Sequence, residues 1–339
     1  MNLIEQFDGI IFDLDGVLYL GSKPAPHAAE AFGTITLPVM FLTNNASRSA
    51  DEVVAQLASV GITGHPEEVL SSAMVAVHMA EERFPGGKVL PIAGPGVMAA
   101  LKDANLIPVH SADDAPDVVV HGFYPEVGWK DLSEAALAIE RGAAYIASNL
   151  DATLPMERGF MVGQGSLVRA VENATGVKAA SGGKPEPEIF RTATKHLGAT
   201  APGAVGDRLN TDVRGANAAE IPSCHVLTGV NSARDVVLAV PEERPHYLLV
   251  DLRELNAPYR APVRDADGAW SAAGARASVN DAGVPTVTVD GMPVGADAPI
   301  PVTAYRALAK AAWEAVDRGL PRETLASHLP EFTVVSPCD

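Results

Sequence analysis

Ile10-Ile11-Phe12-Asp13-Leu14-Asp15-Gly16 is the stretch that decides the fold. A short apolar run bounded by a polar turn reads as a strand buried on both faces, the kind found in parallel sheets. In open α/β sheets ligands bind where strands end at their carboxyl edge. Asp13 and Asp15 therefore stand where chemistry is expected. Two carboxylates this close repel, so either a bound cation or a retained proton must hold them together. Oxygen ligands suit magnesium, and a carboxylate can also serve as a covalent nucleophile.

Outward from this strand the same alternation recurs. Val39-Met40-Phe41-Leu42 reads as a second strand ending at Thr43-Asn44-Asn45, and Ser49 with Glu52 forms a capping box. Val53, Val54, Leu57 and Val60 make the apolar stripe of the helix that follows, and Gly61 closes it. A helix over 72–84 ends at Pro85-Gly86-Gly87, which reads as a hinge. Strands are predicted at 89–92, 118–120 and 145–147, with helices over 95–105 and 131–141 between them. Gly163-Gln164-Gly165-Ser166 reads as a turn with a serine cap ahead of a helix. Lys184-Pro185-Glu186-Pro187 opens a helix ending near Gly198, and Ala204-Val205 runs as a strand into Gly206-Asp207. His225-Val226-Leu227 and 247–250 complete the core strands.

Strand and helix patterns alternating in this way give an α/β class. Past Pro258 the texture changes to short strand candidates such as 286–289, followed by an amphipathic helix with Thr303 as its N-cap and Gly319 beyond its end. The expected organisation is core 1–85, an inserted α/β block 86–183, core 184–260 and a C-terminal appendage 261–339.

Composition narrows the function. The 25 basic and 42 acidic residues give a formal charge of −17, which repels nucleic acid and anionic lipid. An anionic substrate then needs a locally positive pocket. Two cysteines are too few for a disulfide framework in 339 residues and fit a reducing cytoplasm. The N-terminus lacks the pattern of a signal peptide, and no apolar run reaches membrane-spanning length. Self-association is left open.

Taken in order, Asp13-Leu14-Asp15-Gly16-Val17-Leu18, Thr43-Asn44, Lys184-Pro185 and Gly206-Asp207-Arg208-Leu209-Asn210-Thr211-Asp212 resemble the four motifs of the haloacid dehalogenase superfamily of phosphohydrolases. The similarity spans about residues 1–258 and is greatest to the nitrophenylphosphatase and phosphoglycolate phosphatase-like branch. It implies a Rossmann-like parallel-sheet core and a large inserted α/β cap, to which the pattern past Pro258 adds a small α+β C-terminal appendage. It further implies magnesium-dependent hydrolysis of small phosphorylated metabolites through an aspartyl phosphate.

By that resemblance Asp13 is the nucleophile and Asp15 the general acid and base, a division that spacing alone does not supply. Asp13, Asp207, Asp212 and the backbone carbonyl of Asp15 would hold Mg2+, while Thr43, the amide of Asn44 and Lys184 would hold the phosphoryl group. Asn149, Asp151 and Arg158 are cap candidates facing the substrate. Glycerol 3-phosphate leads the substrates implied, ahead of 2-phosphoglycolate, pyridoxal phosphate and nucleoside monophosphates.

Two readings compete. Gly94-Pro95-Gly96-Val97-Met98-Ala99 matches a dinucleotide fingerprint, with Asp113, Asp114 and Asp117 about 20 residues on, as in an NAD-dependent enzyme. The appendage could alternatively be an interaction module or a reduced acetyltransferase-like fragment. It lacks the loop that would bind an acyl-CoA pyrophosphate, so a structural role is expected, with truncation at 262 altering solubility or assembly more than turnover.

Overall fold

The computed structural model describes the chain except at 46, 47, 157, 296, 297, 337 and 339. It divides into two compact units, one formed by 1–39, 60–62 and 197–339, the other by 40–59 and 63–196. Both are α/β, as the alternation of patterns predicts.

The first unit is built on parallel strands. Gly9–Asp13 pairs with Pro202–Gly206, which pairs with Ser223–Val226, which pairs with Tyr247–Leu249. Ile10, Ile11 and Phe12 are fully buried, as a strand covered on both faces requires. Register aligns Phe12 with Val205 and Gly206 with His225. Asp13 and Asp207 consequently leave their strands at the same edge of the sheet.

The appendage belongs to this unit. Its five antiparallel strands run in order from Val263–Arg264 through Trp270–Ala272, Ala275–Val279 and Pro285–Val289 to Met292–Pro293. The helix Val302–Asp317 joins Ala304, Tyr305, Leu308 and Trp313 to Leu209, Val213, Val236 and Leu248 of the parallel layer in one apolar cluster. Pro301 caps this helix and Thr303 lies inside it, correcting the expected N-cap. A proline at that position has no amide to lose, so its fixed φ suffices to start the helix.

Arg306 secures the junction. Its guanidinium donates to Glu254 Oε2 at 2.6 Å and to the Leu248 carbonyl at 2.9 Å, and lies 4.0 Å from the Tyr259 ring centroid. Arg306 is 3 % and Glu254 2 % exposed, so neither charge could be left alone cheaply.

In the second unit Val39–Thr43 pairs in parallel with Val69–Ser71. A separate parallel sheet runs in the order Ala180–Ser181, Ala144–Ala147, Val118–His121, Lys88–Ile92, Ile107–Pro108. The Ser49–Glu52 capping box forms as expected, with amide-to-side-chain bonds of 2.8 and 3.3 Å. Pro85-Gly86-Gly87 forms a tight turn between packed elements. Gly86 N–H donates to Asn105 O, and the helix Ser72–Arg83 shares an apolar cluster with the strand that follows the turn.

Two further starts differ from expectation. The helix Gln164–Thr175 is capped by Gly163, and Ser166 lies within it, donating its hydroxyl to Ala152 O at 2.7 Å. The helix after Lys184 begins only at Glu188, since a proline disfavours helical backbone in the residue before it, as Pro187 does for Glu186.

Two stability predictions follow from buried charge. Arg306→Met should cost about 3–5 kcal/mol in urea unfolding by stranding Glu254, and Arg306→Met/Glu254→Leu should recover part of that loss. A single variant as stable as the parent would remove the clasp from the account. His121 is wholly buried against the Tyr145 hydroxyl at 2.8 Å, and burial pushes its pKa down to about 4 from 6.5. It is neutral when folded, whereas the unfolded chain takes up its proton below about 6.5. Its contribution is thus complete above pH 6.5 and lost as pH falls toward 4, on the order of 2 kcal/mol between pH 7 and pH 5. His121→Gln should flatten that part of the stability profile.

Candidate active site

In the first unit three carboxylates meet. Ligand oxygens of Asp13, Asp207 and Asp212 all lie within 4.8 Å of one another. Asp207 is completely buried and Asp212 nearly so, while Asp13 at its strand end is partly exposed. Burying acids this close is costly unless a cation compensates them, and an all-oxygen donor set suits a hard divalent ion. The residues present fit such an ion.

Asp207 is held on every side. Its Oδ2 accepts the Val230 amide at 2.6 Å, and its own carbonyl accepts from His225 Nε2 at 2.9 Å. His225 is fully buried, and burial lowers its pKa to about 4, so it is the neutral imidazole that donates here. A Cβ at Gly16 would stand 2.3 Å from Asp207 Oδ2, and one at Gly229 only 2.0 Å from it. Both positions must be glycine for the carboxylate to occupy its place.

Asp212 reaches the cluster from a widened helical turn, Leu209–Val213, in which Val213 N–H bonds back to Arg208 O. Such wide turns are common where a side chain must be re-aimed at a functional site. Arg208 N–H donates to Asp212 Oδ2 at 3.1 Å, and Gly206 leaves room for Asp212, whose Cβ would lie 2.1 Å from a Cβ there.

Asp15 is not part of this carboxylate cluster. Its side chain is exposed on the loop after the strand, where Gly16, at φ +94°, turns the chain and donates its amide to Tyr19 O. Thr228 donates its hydroxyl to Gly16 O at 2.6 Å and so fixes this loop. Thr228, Gly229, Val230 and His225 were not singled out from the sequence. The available signal was a Thr-Gly-Val turn directly after a core strand.

The second unit gathers the remaining candidates around Asn44. Thr43 is buried, with its hydroxyl accepting the Asn45 amide. The Asn44 side chain accepts the Lys184 amide at 2.8 Å and donates to Lys184 O at 3.0 Å and Asp151 Oδ2 at 3.1 Å. Its carbonyl accepts from Asn149 Nδ2 and from Ser72 Oγ, and Asn149 Oδ1 accepts the Asp151 amide. Lys184 is 4 % exposed. The expected role of Asn44 lies in its backbone amide; its side chain has a separate one, bracing the Lys184 loop. Gly183 is required beside it, since a Cβ there would approach Ser148 O at 2.7 Å.

Arg158 stands apart from this network, exposed at the tip of the hairpin Thr153–Met156 and Gly159–Val162. Glu157 next to it lies outside the described residues.

The dinucleotide reading finds no support in its own residues. Gly94 packs closely, with Tyr124 and the Phe123 carbonyl 3.1 and 3.2 Å from where a Cβ would be. Asp113 pairs with Arg141, Asp114 caps the turn after Ser111, and Asp117 accepts the Lys88 amide.

Known proteins align with this arrangement. The family described as haloacid dehalogenase-like hydrolase matches residues 10–107, and one described as HAD-hydrolase-like matches 181–255. The D-glycerol 3-phosphate phosphatase of Mycobacterium tuberculosis is 44 % identical over 256 residues, 75 % of this chain and 72 % of that one. An acid sugar phosphatase of Staphylococcus saprophyticus is 32 % identical over 258 residues, 74 % and 98 % of the two chains. Among solved structures, the M. tuberculosis glycerol phosphate phosphatase in complex with magnesium superposes with a TM-score of 0.82 at 39 % identity, covering 92 % of each chain. A thermostable NPPase of Geobacillus stearothermophilus gives 0.67 at 30 % identity, covering 73 % of this chain and 97 % of its own.

Gly229→Ala tests the seat of Asp207. The position carries no left-handed backbone, but the added Cβ meets the buried Asp207 side chain, so the variant should lose about 1–3 kcal/mol of stability and raise the dissociation constant for Mn2+ at least tenfold in calorimetry. Unchanged affinity would show that Asp207 can shift without consequence.

Proposed function

The chain belongs to the haloacid dehalogenase-like hydrolases and is a phosphoric monoester hydrolase, and we propose that it hydrolyses small phosphate monoesters through an aspartyl phosphate on Asp13. The observation that carries this reading is the meeting of Asp13, Asp207 and Asp212 at one sheet edge.

Phosphate monoesters hydrolyse so slowly unaided that splitting the reaction through a covalent intermediate is a large gain. An Asp13 oxygen attacks phosphorus as the ester oxygen leaves. Asp15, exposed on the loop after the strand, gives that leaving oxygen a proton and then takes one from the water that cleaves the acyl phosphate. Asp13, Asp207, Asp212 and the Asp15 carbonyl would hold magnesium, which when bound neutralises charge between the nucleophile and an anionic substrate. Thr43, the Asn44 amide and Lys184 hold the phosphoryl oxygens, with Lys184 supplying fixed positive charge in a chain of net charge −17. Asn149 and Asp151 steady that loop through Asn44, and Arg158 contributes to recognising the alcohol portion.

Glycerol 3-phosphate is the substrate favoured, by identity to the mycobacterial relative. Phosphate release should be compared for glycerol 3-phosphate, 2-phosphoglycolate, pyridoxal phosphate and nucleoside monophosphates. We expect glycerol 3-phosphate to lead in kcat/KM by at least about tenfold, which corresponds to about 1.4 kcal/mol of transition-state discrimination. Chelation should abolish turnover, and Asp13→Asn should do so with the thermal unfolding curve unchanged. Substantial activity in Asp13→Asn would exclude the covalent route, and a different leading ester would reassign the substrate alone.

A further inference from the structure

A second cationic cleft lies in the first unit, away from the carboxylate cluster in sequence and built from residues the phosphatase reading does not use. It encloses about 490 Å³ and is lined by Arg244, His246, Arg264, Trp270, Lys310 and Trp313, with Pro245, Glu314 and Asp317 completing the wall. That volume lies in the range of small-molecule sites.

Charge is distributed unusually here. Both carboxylates are already engaged: Glu314 by Arg264 at 2.8 Å and by the Trp270 indole N–H at 2.6 Å, Asp317 by Arg244 at 2.8 Å. Lys310 has no carboxylate partner among the described residues, and it is the cation in excess. Its ammonium lies 5.2 Å from the Trp313 ring centroid, and the Arg244 guanidinium lies 5.7 Å from the same ring. One indole thus supports two like charges. Arg244 Nη2 is buried with no hydrogen-bond partner among the described residues, a costly state for a charged donor. His246 Nδ1 accepts the Ser223 amide at 3.3 Å, which leaves Nε2–H as a further donor.

We propose that this cleft binds a phosphate-class oxyanion, held by Lys310 and His246 with the Arg244 guanidinium adding positive charge in the wall. An oxyanion there relieves the repulsion between Lys310 and Arg244. The Lys310 pKa is lowered first by burial and then by Arg244, as expected of a cation awaiting a counter-charge. The indole faces are already occupied by cations, so the site recognises the anionic group and not an aromatic ring. The oxyanion could come as free phosphate or as the phosphoryl group of a metabolite, and the two arms below separate these sources.

The chain contains three tryptophans, Trp129, Trp270 and Trp313, two of which line the cleft. In Trp129→Phe protein, indole fluorescence reports on this cleft. Carrying Asp13→Asn as well prevents turnover, and the binding does not depend on the catalytic reading. Inorganic phosphate forms one arm and glycerol 3-phosphate the other, each against chloride at matched ionic strength. We expect a saturable change, at least tenfold weaker in Lys310→Gln and preserved in Lys310→Arg. A tighter response to one arm identifies the source. No saturable response to either anion, a chloride response of equal size, or a response unaffected by Lys310→Gln would overturn the proposal. So would equal loss in Lys310→Gln and Lys310→Arg, since a lost packing contact and not a lost charge would then be the cause.

Discussion

The acidic cluster depends on one close approach. Asp207 Oδ2 sits between the α-carbons of Gly16 and Gly229, each too near to carry a Cβ, and takes the Val230 amide at 2.6 Å. The loop after the first strand, the turn after the third core strand and the carboxylate itself therefore fix one another. Thr228 adds a bond from that same turn to Gly16 O, so the segment carrying Asp15 is referenced to Asp207 both by packing at Gly16 and by this bond. A carboxylate in such a seat has little freedom to turn away from its neighbours. The repulsion within the cluster is then balanced by packing until a cation is bound, which is how a buried acidic site stays preorganised.

Much of this was legible in the sequence because parallel strands announce themselves. Ile10–Phe12 and Ala204–Val205 are apolar runs too short for helices, and the carboxylates directly after them had to emerge at a sheet edge. What periodicity does not encode is which loops return to that edge. Thr228-Gly229-Val230 follows a strand and reads as an ordinary turn; its importance lies in 2.0 Å of missing space that only the packed chain reveals. Asn44 was visible as a strand-end polar residue, but its side chain bonds to residues 107 and 140 positions away. Long-range polar pairing of this kind leaves no local trace.

Helix starts failed for a related reason. Thr303 and Ser166 are good caps by residue type, yet each lies inside its helix. Pro301 and Gly163 occupy the cap positions because the incoming chain is constrained by its packing. A Cβ at Gly163 would strike Asp151 O at 2.4 Å, and Ser166 spends its hydroxyl on Ala152 O. Tertiary contact overrides capping preference when a favourable cap would cost a clash. At Gly86-Gly87 both glycines are demanded by a tight turn, Gly86 by its φ of +73° and Gly87 by the approach of Phe84.

The appendage shows the same logic at the scale of a layer. Its long helix presents Ala304, Ala307, Ala309, Ala311, Ala312 and Ala315 as buried positions, so neighbouring elements can come close on several sides. Small side chains bury little apolar area each, and the junction compensates with polar clasps in which a side chain caps a backbone carbonyl. Arg306 reaches Leu248 O, Trp313 Nε1 reaches Val236 O, and Arg234 reaches Leu329 O and Ala326 O. Each gives a backbone carbonyl at the junction a side-chain donor, in addition to the Ala239 amide in the case of Val236 O. Severing the chain at 262 would uncover Leu209 and Val213, which flank Asp212 on one helical turn, and Leu248 of the sheet. The appendage thus shares its apolar core with the turn that carries one carboxylate of the cluster.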